Sequence, residues 1–298
     1  GIFDPEGLTD ERLISFPQNS NTQVEVALRG IKKPFVLIDT TASDETFSYL
    51  ISALKRGGGV VLSNKKPLTM RQEQFDLLHQ LGKERLFYET CVGAALPIIS
   101  TLKDLLETGD EIIEIKGCLS GTLGFIFSQL DEGKRFSEAV QEAKEKGFTE
   151  PDPRDDLSGT DVARKALILA RMMGQKIELS DFKLQSLYPG SYNKYSVTEF
   201  LDKTKNLDQE YREKFQHALN DGNTLRYLAK VTQNSVSVSL TEVSKQSDVG
   251  NLKGPDNIIV FKTKRYFNHP LVIKGPGAGA EVTASGVFGD ILKIANMI

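Results

Sequence analysis

The chain has 298 residues, enough for one large domain or two ordinary ones, and 39% of them are apolar, so a sizeable core is available. A net charge of −3 and a pI near 5.8 leave no electrostatic footprint for nucleic acid, and no apolar run is long enough to span a membrane. Cys91 and Cys118, like His79, His217 and His269, lack metal-ligand spacing, and the opening GIFDPEGLTDER is no signal peptide, so a soluble cytoplasmic protein without zinc is expected.

Residues Phe35 to Asp39 (FVLID) read as a short buried strand. A helix follows over Ser43 to Arg56, with Ser43 or Asp44 as N-cap and Gly57, Gly58 and Gly59 closing it. A second strand covers Val60 to Ser63, a second helix Thr69 to Gly82, and a third strand Arg85 to Glu89. Strands alternating with helices across short turns predict parallel βαβ units.

The pattern then changes. Leu96 to Glu107 reads as a helix, and Glu111 to Cys118 (EIIEIKGC) alternates like a half-exposed strand. Helices follow over Gly121–Asp131, Phe136–Lys146, Thr160–Met173 and Leu207–Asn220. Four strands of an antiparallel or mixed sheet are expected at Thr224–Val231, Val236–Val243, Asn257–Tyr266 and Leu271–Lys274, then a last helix from about Glu281 to Met297. Residues 1–91 form one unit and 92–276 another. Whether the helix in 277–298 returns to the first unit or closes the second stays open.

The stretch Thr149 to Lys165, TEPDPRDDLSGTDVARK, holds five acids (Glu150, Asp152, Asp155, Asp156, Asp161) and three bases (Arg154, Arg164, Lys165). Pro151 and Pro153 push the preceding residues out of the α region and predict an extended start. Ser158 or Gly159 then opens a helix with Asp161 and Lys165 one turn apart on one face. An exposed pair of this kind is common and worth about 0.3–0.5 kcal/mol. Five repelling carboxylates beside backbone-fixing prolines point instead to a site that holds an amine and moves a proton.

Three further stretches could carry chemistry. SNKK at Ser63–Lys66 follows a strand, and Asp39-Thr40-Thr41 ends the strand before it, the edge where ligands of open α/β sheets bind. Lys65 or Lys66 could meet a phosphate or carboxylate there, or form a solvated pair in a turn. GPGAGAEVT at Gly275–Thr283 fits the permissive dinucleotide fingerprint but lacks the following βαβ residues, so a helix start open to an anionic group, or a tight packing turn, fits better. YETCVGAALPI at Tyr88–Ile98 could place Glu89 and backbone carbonyls around a cation, although Pro97 in a helix first turn explains most of it.

Taken together, SNKK, YETCVGAALPII, LSGTLGFIF, GFTEPDPRDDLSGTDVARK and GPGAGAEVTASGVFGDI resemble homoserine dehydrogenase from about Phe35 onward. The segment Ser137–Ser158 resembles the dehydrogenase part of bifunctional aspartokinase–homoserine dehydrogenases. The resemblance implies an α/β fold: an incomplete Rossmann-like parallel nucleotide-binding unit plus an α+β substrate and dimerisation domain with a mixed sheet. It implies NAD- or NADP-dependent interconversion of L-homoserine and L-aspartate 4-semialdehyde, a homodimer or higher homo-oligomer, and an aspartokinase domain in the parent chain. By motif, Lys165 is the proton donor and Asp161 orients it. Glu150 and Asp156 bind the substrate ammonium, Thr122 lines the substrate pocket, and Lys65 meets substrate and nicotinamide. Thr41 and Gly279 contact the cofactor. Glu89, with the carbonyls of Val92, Ala94 and Leu96, matches the family's sodium site. Asp152 and Asp155 are left to hold Arg154 and the loop.

One departure bears on activity. The family begins with a strand and a G-x-G-x-x-G turn that grips the pyrophosphate, and neither is in this sequence. The expectation is weak cofactor binding and uncovered apolar surface on the remaining strands. A catalytically silent substrate and dimerisation module is therefore the alternative to an active dehydrogenase.

Overall fold

A computed structural model describes residues 21–31 and 34–297. After helix α1 (Asn21–Gly30) come strand β1 (Val36–Asp39), helix α2 (Phe47–Lys55), strand β2 (Gly59–Leu62), helix α3 (Gln72–Gly82) and strand β3 (Leu86–Phe87). The three strands form a parallel sheet in the order β1-β2-β3. The apolar run of β2 suits it, because central parallel strands are covered on both faces, whereas β1, expected to be buried, buries only Asp39 of its four residues. All four residues of β2 are buried. The helix after β1 starts later than its sequence suggests: Ser43 Oγ accepts the Glu45 amide at 3.1 Å in a preceding turn, and Thr46 takes the N-cap position.

Beyond β3 lie helix α4 (Ile98–Glu107), strand β4 (Ile112–Cys118), and helices α5 (Gly121–Asp131), α6 (Phe136–Glu145), α7 (Pro153–Leu157) and α8 (Thr160–Met172). Strand β5 (Lys183–Leu184), helices α9 (Val197–Lys203) and α10 (Asp208–Asn220), and strands β6 (Asn223–Thr232), β7 (Val236–Ser244), β8 (Asn257–Thr263) and β9 (Leu271–Gly275) follow. The second sheet is mixed, ordered β5-β7-β6-β4-β8-β9, with β5 parallel to β7 and the other pairs antiparallel. Helix α8 packs on β6 and β7. Its residues Ala166 to Ala170 are all fully buried, so its polar N-terminal turn is held against an immobile core.

Helix α1 was not anticipated, and three further elements differ from the sequence reading. The acidic stretch is extended at Asp152 (φ −105°, ψ 109°), as its prolines predict, but it turns helical sooner than expected: Pro153 is the first residue of α7, and the Asp152 carboxylate caps it by accepting the Arg154 amide at 3.0 Å. Proline at the first helical position is favoured, because its missing N–H would be unpaired there anyway. The short α9 and the two-residue β5 were not anticipated. Ser196 and Glu199 form a capping box for α9, a signal present in the sequence.

The last helix, α11 (Ala280–Ala295), returns to the parallel sheet. Ile294 is fully buried and sits where any Cβ on Gly59 would stand, 2.5 Å away. Asp290 accepts the Glu89 amide at 2.9 Å. Apolar surface does remain uncovered among the described residues: Ile38 on β1 is 42% exposed, and Phe288 and Leu292 on α11 are 60% and 49% exposed.

Candidate functional site

The ends of β1 and β2, the first turn of α8 and the glycine turn before α11 enclose a cleft of about 710 Å³. Within it the carboxylates of Glu150, Asp155, Asp156 and Asp161 share the walls with the cations of Lys65, Lys66, Arg164 and Lys165. A balanced mixture of both signs suits a ligand that itself carries both.

At its centre one carboxylate bridges two lysines. Asp161 Oδ2 lies 2.8 Å from Lys165 Nζ, and Asp161 Oδ1 lies 3.3 Å from Lys65 Nζ. Lys165 also donates to the Leu119 carbonyl at 2.6 Å and is only 8% exposed. The i,i+4 spacing on α8 makes the first contact. The second crosses from α8 to the turn after β2. Burial works against the Asp161 charge, but Lys165 and then Lys65 outweigh it and hold the carboxyl well below the usual carboxylate range. Asp161 is thus an anion that keeps two ammonium groups side by side.

Gly159 permits this placement. It caps α8 at φ +73°, a left-handed conformation favouring glycine, and a Cβ there would stand 1.8 Å from Tyr227 Oη. Tyr227 in turn donates to the Gln185 carbonyl at 2.5 Å.

Asp156 lies one helix earlier. Its Oδ2 accepts the Glu150 amide at 2.8 Å, and its Oδ1 lies 2.9 Å from Thr122 Oγ1. Burial, aided by the nearby Glu150 and Asp161 carboxylates, pushes the Asp156 carboxyl up against these hydrogen bonds. Thr122 does not stand on the cleft wall. It is buried behind Asp156, and its hydroxyl also lies 2.5 Å from the Phe148 carbonyl. Asp152 pairs with Arg154 at 2.6 Å, while Asp155 lines the cleft.

Thr41 and the SNKK turn are set by a residue pair that sequence reasoning missed. Buried Asp39 accepts from the Thr41 amide (3.0 Å) and hydroxyl (2.8 Å), from Thr46 Oγ1 (2.7 Å) and from Asn64 Nδ2 (3.0 Å). Asn64 Oδ1 accepts the Lys66 amide at 3.1 Å. A buried aspartate at a strand end and an asparagine before two lysines are the only signal, and neither points to the other in sequence.

Glu89 sits behind the cleft. Its Oε1 and Oε2 accept the amides of Ile99 (2.6 Å) and Ser100 (3.0 Å), so it satisfies the open first turn of α4. Burial nevertheless pushes its carboxyl up. Gly93 (φ +82°) and Ala94 (φ +51°) make a left-handed turn beside it. Among the described residues the buried Val92 and Ala94 carbonyls accept no backbone hydrogen bond, whereas Leu96 O accepts the Ile98 amide at 2.7 Å. Exposed His217, Asp221 and Glu242 bring ligand atoms within 4.8 Å of one another on the surface of α10 and β7, outside the cleft.

A parallel α/β unit is joined to a mixed sheet, with ionisable groups converging at the strand ends between them, the edge at which open α/β sheets bind ligands. Residues 97–292 match the family model described as homoserine dehydrogenase. The chain is 45% identical over 269 residues to the chloroplastic bifunctional aspartokinase/homoserine dehydrogenase 2 of Arabidopsis thaliana, covering 88% of this chain and 29% of the relative. It is 41% identical over 277 residues to the homoserine dehydrogenase of Schizosaccharomyces pombe, covering 89% of this chain and 74% of that one. Two solved structures are similar. A Candida auris protein of unknown function gives a TM-score of 0.91 at 34% identity, over 100% of this chain and 87% of that one. A hyperthermophilic archaeal homoserine dehydrogenase in complex with NADPH gives 0.70 at 28% identity, over 92% and 75%. The chain belongs to the homoserine dehydrogenase family. It spans about 29% of the length of the first curated relatives it matches.

Proposed function

We propose that this chain is an NAD(P)-dependent homoserine dehydrogenase that reduces L-aspartate 4-semialdehyde to L-homoserine. The observation that carries the reading is the Lys65–Asp161–Lys165 bridge across the cleft. Reduction of an aldehyde leaves negative charge on its oxygen, and a cationic acid held beside that oxygen neutralises it as it forms. Lys165 fills that role. Its ammonium is held by Asp161 and the Leu119 carbonyl, so it is aimed before substrate arrives. Lys65 adds a second positive charge from the opposite wall. Glu150 and Asp156 hold the substrate ammonium, with Thr122 fixing Asp156 from behind.

The nicotinamide cofactor supplies the hydride when bound. The residues present fit it. Thr41, pinned by Asp39, and Lys65 stand at the strand ends. At Gly279 nothing lies within 4 Å of where a Cβ would stand, so its backbone is open to close approach. Beneath the same turn the buried Asn257 amide has no hydrogen-bond partner among the described residues. Residues 1–91 with the helix in 277–298 would make up the cofactor half, and 92–276 the substrate and dimerisation half. The free Val92 and Ala94 carbonyls suit a sodium ion. Glu89 would act by its charge, since its carboxylate oxygens already cap α4.

The names of the bifunctional relatives support an aspartokinase domain in the parent chain, and the edge strands of the mixed sheet support a homodimer. No helix among the described residues is long and apolar enough to cross a membrane, and a cytoplasmic site of action is the compartment we propose. The deciding experiment is consumption of NADPH or NADH with aspartate 4-semialdehyde, and the reverse reduction of NADP or NAD with L-homoserine. Turnover of other hydroxy amino acids but not homoserine refutes the reading.

A further inference from the structure

Helix α8 is fastened to the parallel unit at two levels. The upper fastening is the Asp161–Lys65 ion pair, whose carboxylate side chain is 46% exposed. The lower one lies ten residues on, about 15 Å along the helix axis, at Arg171. Its side chain is fully buried. Nη1 donates to the carbonyls of Leu68 (2.9 Å) and Met70 (2.7 Å), Nε to Ile177 O (3.1 Å), and Nη2 to Glu178 Oε2 (2.9 Å). Glu178 Oε1 then accepts the amide of Gln72, the first residue of α3, at 2.7 Å. The Arg171 guanidinium also lies over the Phe75 ring at 5.3 Å.

Leu68 and Lys65 belong to one turn, for the Leu68 amide donates to the Lys65 carbonyl at 3.1 Å. Lys65 and Arg171 therefore grip this turn from its two ends. An exposed ion pair is weak, and an entering ligand competes for both of its partners. A buried guanidinium with its donors in fixed directions is not displaced in this way. While substrate exchanges at the upper level, the lower one adds a directional tie to the apolar packing that joins the two walls.

We propose that Arg171 is a positioning residue whose clamp on the Leu68 and Met70 carbonyls and on Glu178 sets the separation of Lys65 from Asp161 and Lys165. This rests on the cleft being the dehydrogenase site. Arg171 touches neither ligand, so its loss acts on geometry, and an ångström of misplacement costs up to about 100-fold in rate.

The test compares Arg171→Met, Arg171→Lys and the unchanged chain by two readouts. The first is kcat and KM for homoserine oxidation. The second is the distance distribution between spin labels at two exposed positions, Asp44→Cys after β1 and Glu145→Cys at the end of α6. Cys91 and Cys118 are buried and escape labelling. Arg171→Met is expected to lower kcat about 10- to 100-fold with the homoserine KM changed less than about threefold, and to broaden the distribution. Arg171→Lys, which reaches some but not all of the acceptors, recovers part of both. A folded Arg171→Met with unchanged kcat and distribution overturns the proposal, as does a change confined to KM. Should Arg171→Met not fold, Glu178→Gln keeps an oxygen for the Gln72 amide, turns an NH2 toward Arg171 and so removes this one of its acceptors, leaving the carbonyl contacts in place. A smaller change in the same direction then supports the clamp, and none overturns it. If the unchanged chain does not oxidise homoserine, the dehydrogenase reading fails and the distance distribution alone decides.

Discussion

Lys165→Met removes the ammonium while keeping an unbranched apolar stem of similar reach. A positioned general acid contributes about 10²–10⁴ in rate, or about 3–5 kcal/mol of barrier, so kcat for homoserine oxidation should fall by that factor. The cost to the fold is different and smaller. The substitution strips the Leu119 carbonyl of its donor at 2.6 Å, a loss of about 1–3 kcal/mol for a buried acceptor. Asp161 keeps Lys65 as its counter-ion, so no unpaired anion is stranded. For a domain of this size the melting temperature should drop by roughly 2–10 °C. Steady-state NADP reduction and a circular-dichroism melt measure the two quantities on one sample. A kcat within tenfold of the unchanged chain refutes Lys165 as proton donor. Loss of cooperative folding at 25 °C would show that the buried lysine is there for structure.

Asp156→Asn should raise the homoserine KM with little change in kcat, since it removes the negative charge facing the substrate ammonium; equal losses in both would place Asp156 in the chemical step. In the unchanged chain the same KM should climb on the acid side at a pH above that of an ordinary aspartate, because burial raises the Asp156 carboxyl and protonation discharges it. Glu89→Ala should destabilise the fold by about 1–2 kcal/mol, since two helix amides lose their acceptor, and should abolish any rate difference between sodium and choline chloride; an unchanged sodium response would exclude Glu89 from the cation site. Gly159→Ala should cost at least about 2 kcal/mol, from a left-handed alanine and a displaced Tyr227 hydroxyl, and a melt within 2 °C of the parent (roughly 0.5–1 kcal/mol for this size) would show that the turn can relax.

The sequence was informative where one local rule acted alone. Apolar runs marked β1 and β2, the second just after a run of glycines, and i,i+4 spacing paired Asp161 with Lys165. It was silent or misleading where two rules competed or where partners were distant in the chain. Pro153 both keeps Asp152 extended and starts a helix, and only the first of these was expected. The Asp39–Asn64 hub joins two strand ends that only the parallel register brings together. Arg171 did leave a trace: an arginine in the run LILARMM needs buried acceptors. Which carbonyls would serve could not be read from order alone. Thr122 shows the same limit at finer scale, since its motif places it near the substrate but not behind Asp156.

The return of α11 to β2 has a consequence for biogenesis. Ile294 fills the space beside Gly59, and Asp290 holds the Glu89 amide, yet the two partners of that hydrogen bond stand 201 positions apart in the chain. During synthesis the part of β2 that α11 covers must wait until that helix leaves the ribosome. The mixed sheet and α8, whose partners lie between them in sequence, can assemble meanwhile. Contacts of such long span form slowly, and the waiting strands are the part of the nascent protein most in need of a chaperone.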